Sequence, residues 1–182
     1  PITDEEVTYR SGFRISAERS PNLKGMNDVS GEILEDISSA ITNQSIRGIY
    51  ILDDGVDREL DDSWKTLLEN MDFVIVQTYA MTELAKLAKI VLPGLAPFER
   101  EGTITNDQGR VQWLRPSIPI KGDSKPDWEI LMLVRNALQK DSEQFADLGG
   151  VIKRMSDQFP DYAGVSLFKI GAMGIAVNGK NT

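Results

Sequence analysis

From Gly31 onward, apolar residues at Ile33, Leu34, Ile37 and Ile41 recur at helical spacing and stop near Asn43-Gln44-Ser45, which predicts a helix. Gly48-Ile49-Tyr50-Ile51-Leu52 follows as a short apolar run ended by Asp53-Asp54-Gly55, the pattern of a buried parallel strand opening into a loop. Leu60, Trp64, Leu67, Leu68 and Met71 then share one helical face, and acidic residues crowd the start of that helix, where its dipole favours negative charge. Phe73-Val74-Ile75-Val76 reads as a second buried strand. A short helix capped by Thr82 and burying Leu84, Leu87 and Ala88 leads to a third apolar run, Ile90-Val91-Leu92, closed by Pro93-Gly94. Strand, helix, strand, helix, strand with right-handed crossovers predicts a Rossmann-like α/β fold, a parallel sheet with helices on both faces.

The rhythm breaks at residue 94. Pro97, Pro116, Pro119 and Pro126 and a polar loop from Gly102 to Gly109 predict a stretch that wraps the sheet rather than extending it, with a strand only at Arg110 to Leu114. Ser124 and Asp127 around Pro126 resemble a helix cap, opening a helix whose buried face is Trp128, Leu131, Val134 and Leu138. A last helix carries Phe145, Leu148, Ile152, Met155 and Phe159 at periodic spacing, weakened by Gly149-Gly150 at about 1 kcal/mol per glycine. The organisation expected is an extended N-terminal segment (1–30), the α/β domain (31–160) and an extended C-terminal segment (161–182).

Composition narrows the chemistry. Of 182 residues, 41% are hydrophobic and 26% charged, enough to bury a core in one domain or two small packed lobes. The sequence holds no Cys and no His, which removes disulfides, thiolate iron–sulfur ligation, ordinary zinc sites and histidine-based nucleophile systems from this segment. With 20 Lys and Arg against 28 Asp and Glu, the net charge of −8 argues against nucleic acid as a partner. No apolar run approaches the roughly 20 residues that span a bilayer, so no direct membrane insertion is expected. A start at Pro1 points to a piece of a longer chain.

Several short motifs weigh more as structure than as sites. Gly174 to Lys180 has the glycine and lysine spacing of a phosphate-binding loop, but Asn181 stands where the magnesium-binding Ser or Thr belongs. Ser166 and Lys169 match a serine–lysine spacing without its companion motifs. Asp53, Asp54, Asp57, Glu59, Asp61 and Asp62 crowd a strand-to-helix junction without the calcium-loop spacing, so no metal site is expected. No glycine-rich dinucleotide turn follows any strand. The loop Glu101 to Arg110 has the residues either of a β-hairpin turn or of a grip on a phosphate or carboxylate, and its composition favours the turn.

The runs Thr82 to Pro93 and Phe98-Glu99-Arg100-Glu101-Gly102-Thr103-Ile104-Thr105-Asn106-Asp107-Gln108-Gly109-Arg110-Val111-Gln112, supported by Asn22 to Asp28, Pro126 to Leu131 and Tyr162 to Ser166, resemble the molybdopterin oxidoreductase superfamily. The nearest likeness within it is to the large iron–sulfur subunit of respiratory complex I, the NADH:quinone oxidoreductase. The resemblance implies an α/β domain of the C-terminal half of that subunit. Catalytic members bind a pterin guanine dinucleotide between two such domains, whereas complex I members keep the fold without molybdenum. Where those relatives carry Gly-Glu-Asn-Pro, this chain has Asp53-Asp54-Gly55-Val56, two carboxylates that would repel phosphates. Where they carry Gln-Asp, it has Gln77-Thr78, without the base-recognising carboxylate.

The resemblance therefore implies a non-catalytic structural domain that scaffolds the electron-transfer arm of complex I. No catalytic residue, metal or cofactor is expected in this segment. Iron–sulfur clusters would lie in cysteine-bearing N-terminal modules of the parent protein. The expected partners are other domains of that parent and other subunits of a cytoplasmic complex peripherally attached to the membrane. The alternative is the cofactor-clamping domain of a molybdenum or tungsten enzyme of the formate dehydrogenase kind. It requires Asp53, Gln77, Thr78, Asn106 and Arg110 to line one pocket at the strand ends.

Overall fold

The structure is a computed structural model and describes residues 7–11, 14–15, 22–30, 37–139 and 143–177. In chain order the elements are strands β1 (Val7–Thr8) and β2 (Arg14–Ile15), helices α1 (Leu23–Val29) and α2 (Ile37–Thr42), β3 (Gly48–Leu52), α3 (Asp62–Glu69), β4 (Phe73–Thr78), α4 (Glu83–Leu87) and β5 (Ile90–Pro93). They continue with β6 (Gly102–Thr105), β7 (Arg110–Leu114), α5 (Asp127–Leu138), α6 (Leu148–Gln158), a 3-10 turn (Pro160–Tyr162), α7 (Leu167–Ile170) and β8 (Ile175–Ala176). Gly31 to Asp36, including the predicted helical positions Ile33 and Leu34, and Asn178 to Thr182, which hold the end of the phosphate-loop-like motif, lie outside the described residues. No helix among the described residues is long and apolar enough to cross a membrane.

The chain divides into two compact units interleaved in sequence, one of Ile33–Arg100 and Pro116–Gln144, the other of Pro1–Glu32, Glu101–Arg115 and Phe145–Thr182. The first holds the predicted parallel sheet, in the order β3-β4-β5 with every pair parallel. Strand order follows chain order, so right-handed crossovers carry α3 and α4 to the same face. There Ile41, Leu68, Met71, Val74, Val76 and Ala85 form the core, joined by Ile49, Ile51 and Val91. β4 alternates accordingly, with Val74, Val76 and Thr78 toward the helices and Phe73, Ile75 and Gln77 on the opposite face. Leu52, Phe73 and Ile90 remain exposed.

Local capping explains where the helices begin. Asp61 accepts from the Ser63 amide at 2.7 Å to start α3, and Thr82 Oγ1 accepts from the Ala85 amide at 3.1 Å to start α4 as predicted. Trp64, predicted on the buried face, is exposed at 38%, and Leu68 is the residue this helix buries. At α5 the predicted Ser124 cap is not formed, and no side chain caps this helix. Its buried residue is Ile130, whereas Leu131 and Leu138 of the predicted face are exposed. The helix is turned this way by a tertiary bond of its first residue, described below.

In the second unit β6, β7 and β8 form an antiparallel sheet in that order. The Gly102–Gly109 loop is thus a hairpin, with β6 where the sequence offered only polar loop. Residues 161–177, predicted to be extended, instead fold into the core: Tyr162, Val165, Ile170 and Val177 pack with Val111 and Ile152. Helical periodicity fails there because a 3-10 turn, one turn of helix and a two-residue strand are each too short to show it. In α6 the Gly149-Gly150 pair falls in the first turn, where Asp147 accepts from the Gly150 amide at 2.9 Å.

Candidate functional site

Parallel pairing sets the three strand ends side by side: Leu52 is in register with Gln77, Gln77 with Leu92, and Thr78 with Pro93. Open α/β sheets bind ligands beyond these C-terminal ends. The edge continues one residue beyond the strands, the Asp53 amide donating to the Gln77 carbonyl and the Gly94 amide to the Thr78 carbonyl, both at 2.9 Å.

Gln77 is the centre of this edge and is 2% exposed. Its Oε1 accepts from the Tyr50 hydroxyl, and its Nε2 donates to Asp127 Oδ1 at 2.6 Å. Asp127 arrives from the first turn of α5, tethered by the Lys125 amide donating to the Pro93 carbonyl at 3.3 Å. Positions 127 and 130 lie one turn apart, so anchoring Asp127 on Gln77 turns Ile130 inward. Burial, reinforced by the Asp127 charge, pushes the Tyr50 hydroxyl above its ordinary pKa. Arg100 lies 3.9 Å from Asp127 Oδ2 and donates its Nε–H to the Leu95 carbonyl at 2.8 Å.

The acidic junction resolves into local partnerships. Asp53 Oδ2 accepts from the Thr82 hydroxyl at 2.8 Å, and Asp57 Oδ1 from the Glu83 amide at 2.8 Å. Asp54 accepts two bonds from Arg58, at 2.9 and 2.7 Å, and that hydrogen bonding holds its carboxyl below the usual range. No group of three metal-ligating side chains occurs among the described residues. Thr78 Oγ1 donates to the Ala80 carbonyl at 3.1 Å, and beside it Thr78, Tyr79, Ala80, Met81, Val91 and Pro93 line a hollow of about 380 Å³.

Of the five candidate residues, the structure gathers Asp53, Gln77 and Thr78 on this edge. Asn106 and Arg110 belong to the other unit and serve its hairpin. Asn106 Oδ1 accepts from the Gln108 and Arg110 amides at 3.1 and 2.8 Å, and Arg110 Nη1 donates to the Gly174 carbonyl at 3.0 Å. That is the turn reading of the loop. In the same unit, Tyr162 donates to Asp28 at 2.9 Å and bonds Thr105 at 3.0 Å, while Lys24 pairs with Asp28.

Sequence reasoning missed Tyr50, Arg58, Arg100 and Asp127. The one signal available was the lone phenol in the otherwise aliphatic run Gly48 to Leu52, because a buried Tyr hydroxyl needs a partner. The edge thus gathers a carboxylate, a buried amide, hydroxyls and guanidinium groups. A carboxylate accepts hydrogen bonds from N–H groups, and guanidinium groups donate to anionic oxygens.

The sequence pattern of the molybdopterin oxidoreductase family matches residues 16–136. The alpha subunit of the F420-dependent formate dehydrogenase 2 of Methanococcus maripaludis is 36% identical over 112 residues, covering 59% of this chain and 16% of that protein. Putative formate dehydrogenases of Staphylococcus haemolyticus and Staphylococcus aureus are 29% and 30% identical over 169 residues, covering 91% of this chain. The chain spans 16–17% of the length of these relatives. They carry formate dehydrogenase names, where the resemblance implied a complex I subunit. With two thirds of its length matched by the family pattern, this chain belongs to the molybdopterin oxidoreductase family.

Proposed function

We propose that this chain is a cofactor-holding α/β domain of a formate-dehydrogenase-like molybdopterin oxidoreductase, in which the C-terminal edge of the parallel sheet binds the guanine nucleotide end of the pterin cofactor. The observation that carries the reading is the Gln77–Asp127 pair. Thr78 stands where a carboxylate was expected, and Asp127 brings one to the same strand end from α5. In this reading the segment holds part of a cofactor, where the sequence led to none being expected. The formate dehydrogenase names of the relatives favour this reading over a complex I scaffold.

When bound, the pterin cofactor supplies metal-centred redox chemistry at a distance from these residues. The chain's own part is to bind and orient. Gln77 is oriented by Tyr50 and in turn positions Asp127, whose carboxylate would accept from the base. The Asp53–Thr82 bond ties the end of β3 to the start of α4. Iron–sulfur clusters, the substrate site and the domain closing over the other side of the cofactor belong to the rest of a longer parent polypeptide.

Thermal unfolding of the 182-residue chain with guanosine, and with adenosine as control, tests the reading, since a ligand raises the melting temperature only by preferring the folded state. The expected result is a rise with guanosine that adenosine does not reproduce and that Asp127→Asn abolishes. Equal responses to both nucleosides, or no response to either, would reject it.

A further inference from the structure

We infer that a hollow at the N-terminal edge of the parallel sheet, the end away from the proposed cofactor edge, is a second ligand site, one that takes a small ring carrying a neutral carboxamide. The hollow has a volume of about 180 Å³ and lies where the chain enters β3 and β4. Its apolar lining is Ile41, Ile46 and Met71, with Ile41 and Met71 buried. An apolar cavity of about 150 Å³ is enough to take benzene, so this one accommodates a single ring.

The polar lining is only partly paired. Asn70 donates its Nδ2 to the Thr66 carbonyl at 2.8 Å and keeps Oδ1 open. Arg47 Nε donates to Asp72 Oδ2 at 2.6 Å and Nη2 meets the same oxygen, which leaves Arg47 Nη1 and Asp72 Oδ1 without a partner among the described residues. The side-chain amide of Gln44 also makes no hydrogen bond among the described residues, where only its backbone N–H is used. Donors and acceptors thus stand together, the set that matches the NH2 and C=O of a carboxamide. Charge favours a neutral head. Asp72 opposes an anion, while Arg47 opposes a cation, as does Lys89, whose Nζ donates to the Met71 and Asp72 carbonyls at 3.1 and 2.6 Å.

The backbone supplies an independent observation. Gln44 has φ of +60° and is the one non-glycine residue in the left-handed region among the described residues. Glycine would hold this turn after α2 with less strain, and strained conformations cluster where a ligand is gripped. What glycine would lack is the amide side chain, and Gln44 lines the hollow.

The test is an NMR titration of the isotope-labelled 182-residue chain with benzamide, and with benzoate as the charged control. Benzamide should shift the amide signals of Ile41, Ile46 and Met71, and benzoate should bind about tenfold more weakly, the difference expected from one mismatched polar group. Gln44→Gly should weaken benzamide by about tenfold and yet raise the melting temperature, since it removes a hydrogen-bonding group and the backbone strain together. If benzoate binds as well as benzamide, Arg47 reads charge and the carboxamide assignment is wrong. If millimolar benzamide leaves those three signals in place, the hollow is no site. If Gln44→Gly binds as wild type does, or melts no higher, the left-handed glutamine is not held for a ligand and the inference falls. None of these outcomes touches the nucleotide reading, whose residues lie at the other end of the strands.

Discussion

Gln77 Nε2 donates to Asp127 Oδ1 at 2.6 Å, closing a contact between residues 50 positions apart. The bond joins the end of the central strand to the first turn of α5, and with Tyr50 on the other side of the amide it satisfies both ends of a buried Gln. A buried polar group without its partner costs more than the bond itself returns when made.

Gln77→Leu should therefore destabilise the chain by about 1–3 kcal/mol, since it strands the Tyr50 hydroxyl and removes the donor to Asp127. Urea unfolding measures this. A midpoint equal to wild type would show that the amide does not couple β4 to α5.

Thr82 has two roles, accepting from the Ala85 amide and donating to Asp53. Thr82→Ala should cost about 1–2 kcal/mol, near the upper end for an N-cap, whereas Thr82→Ser keeps the hydroxyl and should lie close to wild type. Equal losses in the two variants would assign the effect to the methyl group instead.

Burial raises the pKa of Tyr50 and of Tyr162 above the ordinary value of about 10, with Asp127 and Asp28 adding to it respectively. A raised folded-state pKa on a neutral acid means that the stabilisation is complete below the unfolded value and is lost as pH rises through the folded one. Stability should fall on going above pH ~10, and Tyr50→Phe and Tyr162→Phe should each make that fall shallower. Denaturant unfolding at a series of alkaline pH values measures it. Slopes identical to wild type in both variants would contradict the shifts.

Gly55 has φ of +73°, and a Cβ there would lie 2.3 Å from Cε1 of the Tyr79 ring. Gly55→Ala should cost about 1 kcal/mol in backbone strain, plus the displacement of the ring. Adding Tyr79→Ala should return only the second part, as equilibrium unfolding of the single and double variants will show. Full recovery in the double variant would mean that the backbone conformation itself carries no strain.

The three parallel strands, the Thr82 cap and the hairpin at Asn106 were legible in the sequence because each depends on residues within a few positions of one another. A short apolar run bounded by acidic and glycine residues favours a strand, and a hydroxyl just before a helix start favours a cap, both from neighbouring residues alone. Asn106 and Arg110, by contrast, look equally suitable for a ligand, because the side chains that close a tight turn are those that grip an anion. Only their bonds to the Gln108 amide and the Gly174 carbonyl show how they are used here.

The chain's own pattern determined the α/β class, the three parallel strands and the absence of any thiolate or imidazole ligand from this segment. The tertiary structure alone decided that Asp127 sits on Gln77, that Arg58 and Arg100 attend the strand ends, and that residues 160–177 build a core. Periodicity records which face of an element is buried, but not which distant residue completes a polar group on it. That choice is made only when loop closure and burial bring the two together, and an unpaired donor then has no cheaper partner.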